Sequence, residues 1–256
     1  MTFQAKKSLG QHFLNSRHVL EQIITAADLK KGETVLEIGP GTGILTEALL
    51  AAGANVVAVE KDARASALLN AKFKDEITRS QLTLVMGDIL DPAIFQSSNL
   101  PFFAPRELVA TKGRQSSIFP TSLHALRFAS GTELRRAGNL KSFALVANIP
   151  YYITGAILQK FLEESPRPNR MVLLVQKEVA DRIVAIDGKE SILSISVKAF
   201  GIPKIVARVP RGAFTPPPTV DSAILSITSI SDDHFTKREV DVKKFFELVR
   251  AGFALG

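Results

Sequence analysis

The sequence predicts an α/β protein built on a mostly parallel β-sheet with helices on both faces. Short apolar runs alternate with amphipathic segments along most of the chain, which is the order that produces such a sheet. A Gly-Pro-Gly-Thr-Gly segment at residues 39–43 follows the first apolar run and opens a helical segment. Glu60 and Asp88 come at the ends of the second and third runs. These features together indicate a ligand site at the carboxyl edge of the sheet.

Each element follows from its residue pattern. Runs rich in aliphatic and β-branched residues predict strands, and apolar residues three and four apart predict helices. The predicted strands are residues 34–38, 55–60, 82–86, 144–148, 171–176, 205–209 and 223–230. The predicted helices are residues 44–52, 63–73, 155–164, 177–184 and 242–253. Residues 191–200 fit either structure, because their apolar positions are rich in β-branched side chains.

Two segments do not fit the alternation. Residues 214–218 contain three consecutive prolines, which donate no backbone hydrogen bonds, so this segment is expected to be a rigid loop outside any sheet or helix. Residues from about 97 to 142 form a connection far longer than the usual ~2–6 residues. They are rich in Ser, Ala, Pro and basic residues. A loosely folded insertion and an added RNA-contacting arm are both compatible with this composition.

Composition narrows the functional classes. The 256 residues, 46% of them hydrophobic, suffice for one full α/β domain plus a small additional part. The absence of cysteine excludes disulfides and thiol catalysis and fits a cytoplasmic protein. Four scattered histidines predict no metal site, and the absence of long apolar runs predicts no membrane partner or secretory signal. The net charge of +7 favours a polyanionic partner such as nucleic acid, although many basic proteins bind none.

The glycine segment and the two acids are arranged as a nucleotide-like cofactor requires. Gly39 and Gly41 allow the backbone to pass close to a ligand. Glu60 is placed to accept hydrogen bonds from both hydroxyls of a ribose, and Asp88 from the amino group of an adenine. Asp62 is predicted to cap the next helix instead. Each acid alone is typical of a turn or a cap, but three such features at successive strand ends indicate one ligand.

The tetrad Asn148-Ile149-Pro150-Tyr151 has the residue types needed to methylate an exocyclic amine. The lone pair of an adenine N6 amine is delocalised into the ring, so the nitrogen is a weak nucleophile. The Asn148 side-chain oxygen and the Ile149 carbonyl can accept hydrogen bonds from N6 and direct its lone pair towards a methyl donor. Pro150 defines the turn, and Tyr151 offers a ring on which a splayed base can stack.

Phe214, held by the proline-rich segment, is a candidate for the second wall of the base pocket. Core packing explains the same residue equally well.

Direct methyl transfer from a sulfonium needs neither a metal nor a covalent enzyme intermediate.

With these motifs, the chain resembles the rRNA adenine N6,N6-dimethyltransferases that modify small-subunit rRNA. The resemblance covers about residues 1–96 and 143–253. The matching positions are residues 7–14 (Lys-Ser-Leu-Gly-Gln-His-Phe-Leu), residues 37–43, Glu60, Asp88, residues 148–154 (Asn-Ile-Pro-Tyr-Tyr-Ile-Thr), residues 176–182 and residues 214–222. An ordered match of this kind is highly specific.

The resemblance implies a Rossmann-like class I methyltransferase with a seven-stranded, mostly parallel sheet whose last strand is antiparallel. It implies S-adenosylmethionine as donor, with His12 and Leu14 lining its methionine and adenosine part and Asn148 adjoining it. The acceptors would be two adjacent adenosines in a loop near the 3′ end of small-subunit rRNA, each methylated twice during ribosome biogenesis. The partner would be an immature small ribosomal subunit, and a cytoplasmic monomer is expected.

The implied organisation is a methyltransferase domain at residues 1–231, with the insertion at about 97–142, and a remnant of a helical RNA-binding domain at residues 232–256. Two alternatives to the dimethyltransferase function remain. One is an antibiotic-resistance methylase acting on an adenine of large-subunit rRNA, and the other is a ribosome assembly factor without catalytic activity. Residues 7–14 and 214–222 favour the small-subunit enzyme.

Overall fold

A seven-stranded β-sheet organises the part of the chain that the computed structural model describes, which comprises residues 6, 10–96, 142–164 and 166–254. The sheet order is β4-β3-β2-β5-β6-β9-β7, and a separate two-stranded sheet joins β1 and β8. The strands are β1 (Phe13–Leu14), β2 (Thr34–Ile38), β3 (Asn55–Glu60), β4 (Leu82–Met86), β5 (Phe143–Asn148), β6 (Arg170–Gln176), β7 (Ile202–Val209), β8 (Phe214–Thr215) and β9 (Ser222–Thr228). The insertion predicted at about 97–142 lies, apart from its last residue, outside the described residues.

Strand β9 runs opposite to the other six strands of this sheet. It is antiparallel to β6 and to β7, whereas the pairings among β2 to β6 are parallel. The predicted seven strands with an antiparallel last strand are therefore confirmed. The chain leaves β2 towards β3 on one side and returns to β5 on the other, which places a topological switch point at the carboxyl end of β2.

Helices cover both faces of the sheet. In the described residues they are α1 (Arg17–Ala27), α2 (Ile44–Ala51), α3 (Ala63–Lys72), α4 (Lys74–Thr78), α5 (Thr154–Glu163), α6 (Lys177–Val184), α7 (Ile192–Lys198), α8 (Asp233–Thr236) and α9 (Val242–Ala254). Val35 and Leu36, neighbours in β2, are both fully buried but lie in different hydrophobic clusters, one on each face. Burial on both faces explains why the strand is a continuous apolar run.

The ambiguous segment at residues 191–200 is a helix. Ser191 caps α7 by accepting a hydrogen bond from the backbone of Ser194, whose side chain accepts one from the Ser191 backbone. This reciprocal capping pair decides the structure where the β-branched residues left it open.

The structure also differs from the sequence analysis at helix α1 and at the start of the proline-rich segment. Helix α1 was not predicted, although Ser16 caps it and Val19, Leu20 and Ile23 form its buried face. The loop predicted for residues 214–218 is wrong for its first two residues. They precede the prolines, retain their N–H donors and pair antiparallel with Phe13–Leu14 as β8.

The C-terminal helix α9 packs on the main body of the protein. Phe246 is 3% exposed and belongs to the same hydrophobic cluster as the sheet, with its ring 6.1 Å from that of Phe200 and 6.4 Å from that of Phe235. The division of the chain at residue 231 stays a prediction. Within the described segments, no helix has the length and apolarity needed to cross a membrane.

Candidate active site

A cavity of about 230 Å³ opens at the carboxyl edge of the sheet, next to the switch point. The glycine segment after β2, the ends of β3 and β4, the tetrad after β5 and residues 10–14 surround it. The predicted site residues that line it are His12, Leu14, Gly39, Gly41, Glu60, Asp88, Asn148, Pro150 and Tyr151. The parallel strands bring these residues together because their carboxyl ends meet at one edge.

Gly41 allows the glycine segment to pass under the N-terminal residues. Its φ is +58°, in the left-handed region, and a Cβ atom there would lie 3.0 Å from the ring of Phe13. A larger residue at this position would therefore strain the backbone and displace the ring of Phe13.

Glu60 links the glycine segment to the end of β3. One carboxylate oxygen accepts a hydrogen bond from the Gly41 backbone at 3.0 Å, and the other accepts one from the Asp62 backbone at 2.8 Å. The side chain is only 5% exposed, and burial raises the pKa of its carboxyl group. Asp62 caps α3 as expected, since its carboxylate accepts a hydrogen bond from the Arg64 backbone.

Glu37, the penultimate residue of β2 and the first of the matched residues 37–43, lines the cavity, although no role at the site was predicted for it. It is 1% exposed, and the Thr46 hydroxyl donates a 2.7 Å hydrogen bond to its Oε2. Its Oε1 is buried and has no hydrogen-bond partner in the structure. Burial, reinforced by the nearby charge of Glu60, raises the pKa of Glu37 to about 8. An acidic residue inside an otherwise apolar run was the signal that could have identified it.

Asp88 lies two residues beyond β4, at the mouth of the cavity. Its Oδ2 is 2.7 Å from the Lys61 ammonium group, and its Oδ1 accepts a hydrogen bond from the Leu90 backbone. The hydrogen bond from Lys61 is the main cause that lowers the pKa of Asp88. Lys61 is a second cavity residue that the sequence did not single out.

The tetrad after β5 is held by contacts on both sides. The Asn148 side-chain nitrogen donates to the His12 carbonyl at 3.1 Å. Since a carbonyl only accepts, this contact sets the orientation of the amide and leaves its oxygen available as an acceptor. The Tyr151 hydroxyl lies 2.7 Å from that of buried Ser222, and burial raises the pKa of Tyr151. The His12 ring stacks on Tyr151, with 5.9 Å between ring centroids.

Residues 10–15, here called the N-terminal strap, cover one side of the cavity. The Nδ1 of His12 lies 2.9 Å from the Pro216 carbonyl, which makes Nδ1 the donor in this contact. The Gln11 amide donates to the Asp62 carboxylate at 3.2 Å, and Leu14 pairs with Phe214 in the two-stranded sheet. The strap is therefore tied both to the start of α3 and to the proline-rich segment.

Phe214 does not line the cavity. Its side chain is 3% exposed and lies in the hydrophobic cluster that contains Leu14 and Val209. This position favours the core-packing alternative over a wall of the base pocket. Within the described ranges, no cluster of three or more His, Cys, Asp or Glu side chains is arranged to hold a metal ion.

The fold and this cavity define a class I, Rossmann-like methyltransferase: a parallel sheet with one antiparallel strand, a glycine segment after β2 and acids at the next strand ends. A family model described as ribosomal RNA adenine dimethylase matches residues 2–255. The chain belongs to that family, and it is a methyltransferase of rRNA adenine.

Relatives and solved structures agree with this assignment. Ribosomal RNA small subunit methyltransferase A of Dehalococcoides mccartyi is 41% identical, over 98% of this chain and 72% of the relative. The protein of the same name from Fusobacterium nucleatum is 33% identical, over 99% and 80%. A dimethyladenosine transferase from Plasmodium falciparum superposes with a TM-score of 0.67 at 28% identity, over 93% of this chain and 70% of that one. The 23S rRNA methyltransferase ErmE gives 0.60 at 26% identity, over 86% and 70%.

Proposed function

We propose that this protein transfers methyl groups from S-adenosylmethionine to the N6 atoms of two adjacent adenosines near the 3′ end of small-subunit rRNA. The product is N6,N6-dimethyladenosine, formed on an immature small ribosomal subunit during ribosome biogenesis. The protein acts as a cytoplasmic monomer without a metal, and the segment after residue 231 contributes to RNA binding. The small-subunit relatives and the family assignment support this choice of substrate.

The cavity fits S-adenosylmethionine. Glu37 offers a buried acceptor without a partner, and the space that a Cβ atom on Gly39 would occupy is open to at least 4 Å. A bound donor group and a ligand passing close to the backbone would satisfy both features. Glu60 is assigned to the ribose hydroxyls and Asp88 to the adenine amine. The remaining positions assigned to the methyl donor are His12, Leu14, Gly39, Gly41 and Asn148. When bound, the donor supplies a methyl group activated by a sulfonium.

Asn148 and the backbone after it activate the acceptor amine. The oxygen of Asn148 and the Ile149 carbonyl accept hydrogen bonds from adenine N6, which favours a pyramidal nitrogen with its lone pair directed at the methyl group. Pro150 fixes the turn that holds these two acceptors, and Tyr151 stacks on the target base. Acceptors positioned in advance cost no reorganisation when the reaction occurs. Phe214 is 3% exposed and does not line the cavity, so this proposal assigns it to core packing instead of base stacking.

The contact between Asn148 and the His12 carbonyl is the observation that carries this mechanism. Without it, the Asn148 amide could rotate and present its nitrogen, a donor, to an amine that needs an acceptor. The strap that covers the methyl-donor side of the cavity thus also orients the catalytic amide.

The test is methyl transfer from labelled S-adenosylmethionine to unmethylated small subunits, with nucleosides identified by mass spectrometry. The wild type should form N6,N6-dimethyladenosine. Asn148→Ala should abolish product while its affinity for S-adenosylhomocysteine stays within a few-fold, because the lost oxygen acts on the acceptor and Asn148 is only one of several residues assigned to the donor. Asn70→Ala, in an exposed asparagine of α3, is the matched control. Normal turnover by the Asn148→Ala protein would refute the mechanism.

Methylation of large-subunit rRNA is a second candidate, favoured by the structural similarity to ErmE. Macrolide resistance conferred on cells by this protein would support it over the small-subunit function. A wild type that binds S-adenosylhomocysteine and immature subunits yet forms no methylated product on either subunit would instead indicate an assembly factor.

A further inference from the structure

We propose that Tyr152 forms an outer stacking site for the nucleotide adjacent to the adenosine in the cavity. The ligand is a purine base of single-stranded RNA, and its site lies at the cavity mouth. This inference rests on the proposed function, because it concerns the second of two neighbouring adenosines. It identifies a residue that holds the RNA while one base at a time enters the cavity.

Tyr151 and Tyr152 are consecutive residues of one short 3-10 turn, yet their surroundings differ sharply. Tyr151 is partly buried, with its hydroxyl bonded to Ser222 and its ring stacked on His12. Tyr152 also lines the cavity, but its side chain is 66% exposed. The turn therefore points one ring into the protein and leaves the other at the entrance.

Tyr152 differs from the other highly exposed large apolar side chains in its type and in its position. Five such side chains in the described ranges are more than 60% exposed: Met86, Tyr152, Ile186, Ile202 and Leu248. Of these five, only Tyr152 is aromatic and only Tyr152 lines the cavity. Scattered exposed aliphatic residues need no explanation, whereas an aromatic ring at a cavity mouth is a ready surface for a base.

The backbone of the N-terminal strap lies beside the Tyr152 ring. A Cβ atom on Gly10 would lie 3.4 Å from both Cδ1 and Cε1 of Tyr152, so the strap backbone passes along one edge of the ring. A ring already supported on one edge loses less conformational freedom when a base stacks on it.

Tyr152 also follows directly after the residue assigned to the target base. The Cα atoms of consecutive residues are about 3.8 Å apart, and neighbouring bases in RNA are joined by a single phosphodiester. An RNA strand that places one adenosine against Tyr151 brings the adjacent nucleotide to the same cavity mouth, where the Tyr152 ring is exposed. Stacking on an aromatic ring tolerates any base, so this site would accept either adenosine in turn.

Fluorescence can test the contact directly, because the chain contains two tyrosines and no tryptophan. In a Tyr151→Phe variant, Tyr152 is the sole source of tyrosine emission. The probe is a stem–loop RNA whose loop contains two adjacent adenosines, added with S-adenosylhomocysteine present. We expect saturable quenching of Tyr152 emission by the RNA and little change with S-adenosylhomocysteine alone. RNA binding detected by anisotropy without any quenching would overturn the proposal.

Kinetics provide the second readout. Stacking predicts that Tyr152→Ala lowers kcat/KM for unmethylated small subunits by about 5- to 150-fold, the range that base–aromatic stacking carries. Tyr152→Phe keeps the ring and should remain close to wild type. Ile202→Ala, at a comparably exposed position on the edge strand β7, is the control. The affinity for S-adenosylhomocysteine should be unchanged in all three variants.

Two results would contradict the stacking role. One is normal kcat/KM in Tyr152→Ala, and the other is a loss matched by weaker S-adenosylhomocysteine binding, which would make Tyr152 a support for the strap alone. Failure of the proposed function itself would appear differently, as absence of dimethyladenosine in the wild-type reaction.

Discussion

Replacing Glu37 with glutamine should stabilise the fold at neutral and alkaline pH. The carboxyl group is buried and has one accepted hydrogen bond, from Thr46, and one unpartnered oxygen. Glutamine has nearly the same shape, keeps an acceptor for Thr46 and carries no charge. The substitution therefore resembles the protonated form of Glu37 and removes the cost of burying a carboxylate.

The magnitude follows from the pKa. Folding raises the pKa of Glu37 from 4.5 to about 8, because burial disfavours the charged form. Below pH 4.5 Glu37 is protonated in both the folded and the unfolded protein, so its ionisation does not affect the free energy of unfolding. As the pH rises from 4.5 through 8, the unfolded protein loses this proton first, and the free energy of unfolding falls. Each factor of ten in proton affinity is worth ~1.4 kcal/mol. The free energy of unfolding is therefore lower by about 3 kcal/mol at neutral pH, and by at most ~5 kcal/mol above the pKa of the folded protein.

The assay is urea unfolding of the wild type and of Glu37→Gln across the range from acidic to alkaline pH. The two proteins should be similarly stable at acidic pH and diverge as the pH rises, with the variant more stable. At neutral pH the difference corresponds to roughly 6–12 °C in Tm for a protein of this size. Glu47→Gln, at an exposed glutamate of the neighbouring helix, is the control and should show no such divergence. Parallel pH profiles for wild type and Glu37→Gln would refute the assignment of a buried, proton-binding carboxyl group.

Two further substitutions test binding and packing. Glu60→Ala should weaken S-adenosylhomocysteine binding at least ~10-fold, since it removes charged acceptors for the ribose, each worth about 1.5–3 kcal/mol; unchanged affinity in calorimetry would contradict the ribose role. Arg170→Ala should lower the free energy of unfolding by about 3 kcal/mol, because it breaks a largely buried ion pair. The Arg170 guanidinium lies 2.7 Å from the Glu33 carboxylate, the two side chains are 17% and 14% exposed, and the guanidinium also donates to the Ala27 carbonyl. Arg208→Ala removes a more exposed ion pair, so it should lower the free energy of unfolding less than Arg170→Ala does in the same urea series; equal losses would contradict the distinction.

The core strands were predictable because their signal is local. The bounds of β2, β3 and β4 agree with the apolar runs at residues 34–38, 55–60 and 82–86. A parallel strand buried on both faces is apolar at nearly every position, and these strands end where glycine or a charged residue appears. The cap at Asp62 is local in the same sense, because its partner is the backbone two residues later.

Other features depend on residues far apart in the chain. The strand pair Phe13–Leu14 with Phe214–Thr215 joins segments about 200 residues apart, and neither segment has a pattern that indicates a strand by itself. The same holds for the ion pair between Lys61 and Asp88, whose side chains meet only because β3 and β4 are neighbours.

The sequence alone determined the α/β class, the glycine segment, the acids at the strand ends and the chemistry of the Asn148 tetrad. Each of these features depends on residues that are close together in the chain. Only the tertiary structure decided how those groups are oriented. The Asn148 amide is set by the His12 carbonyl 136 residues away, Glu37 becomes a proton-binding group through complete burial, and Phe214 packs in the core. Orientation and burial depend on contacts between distant segments, and those contacts exist only once the sheet has assembled.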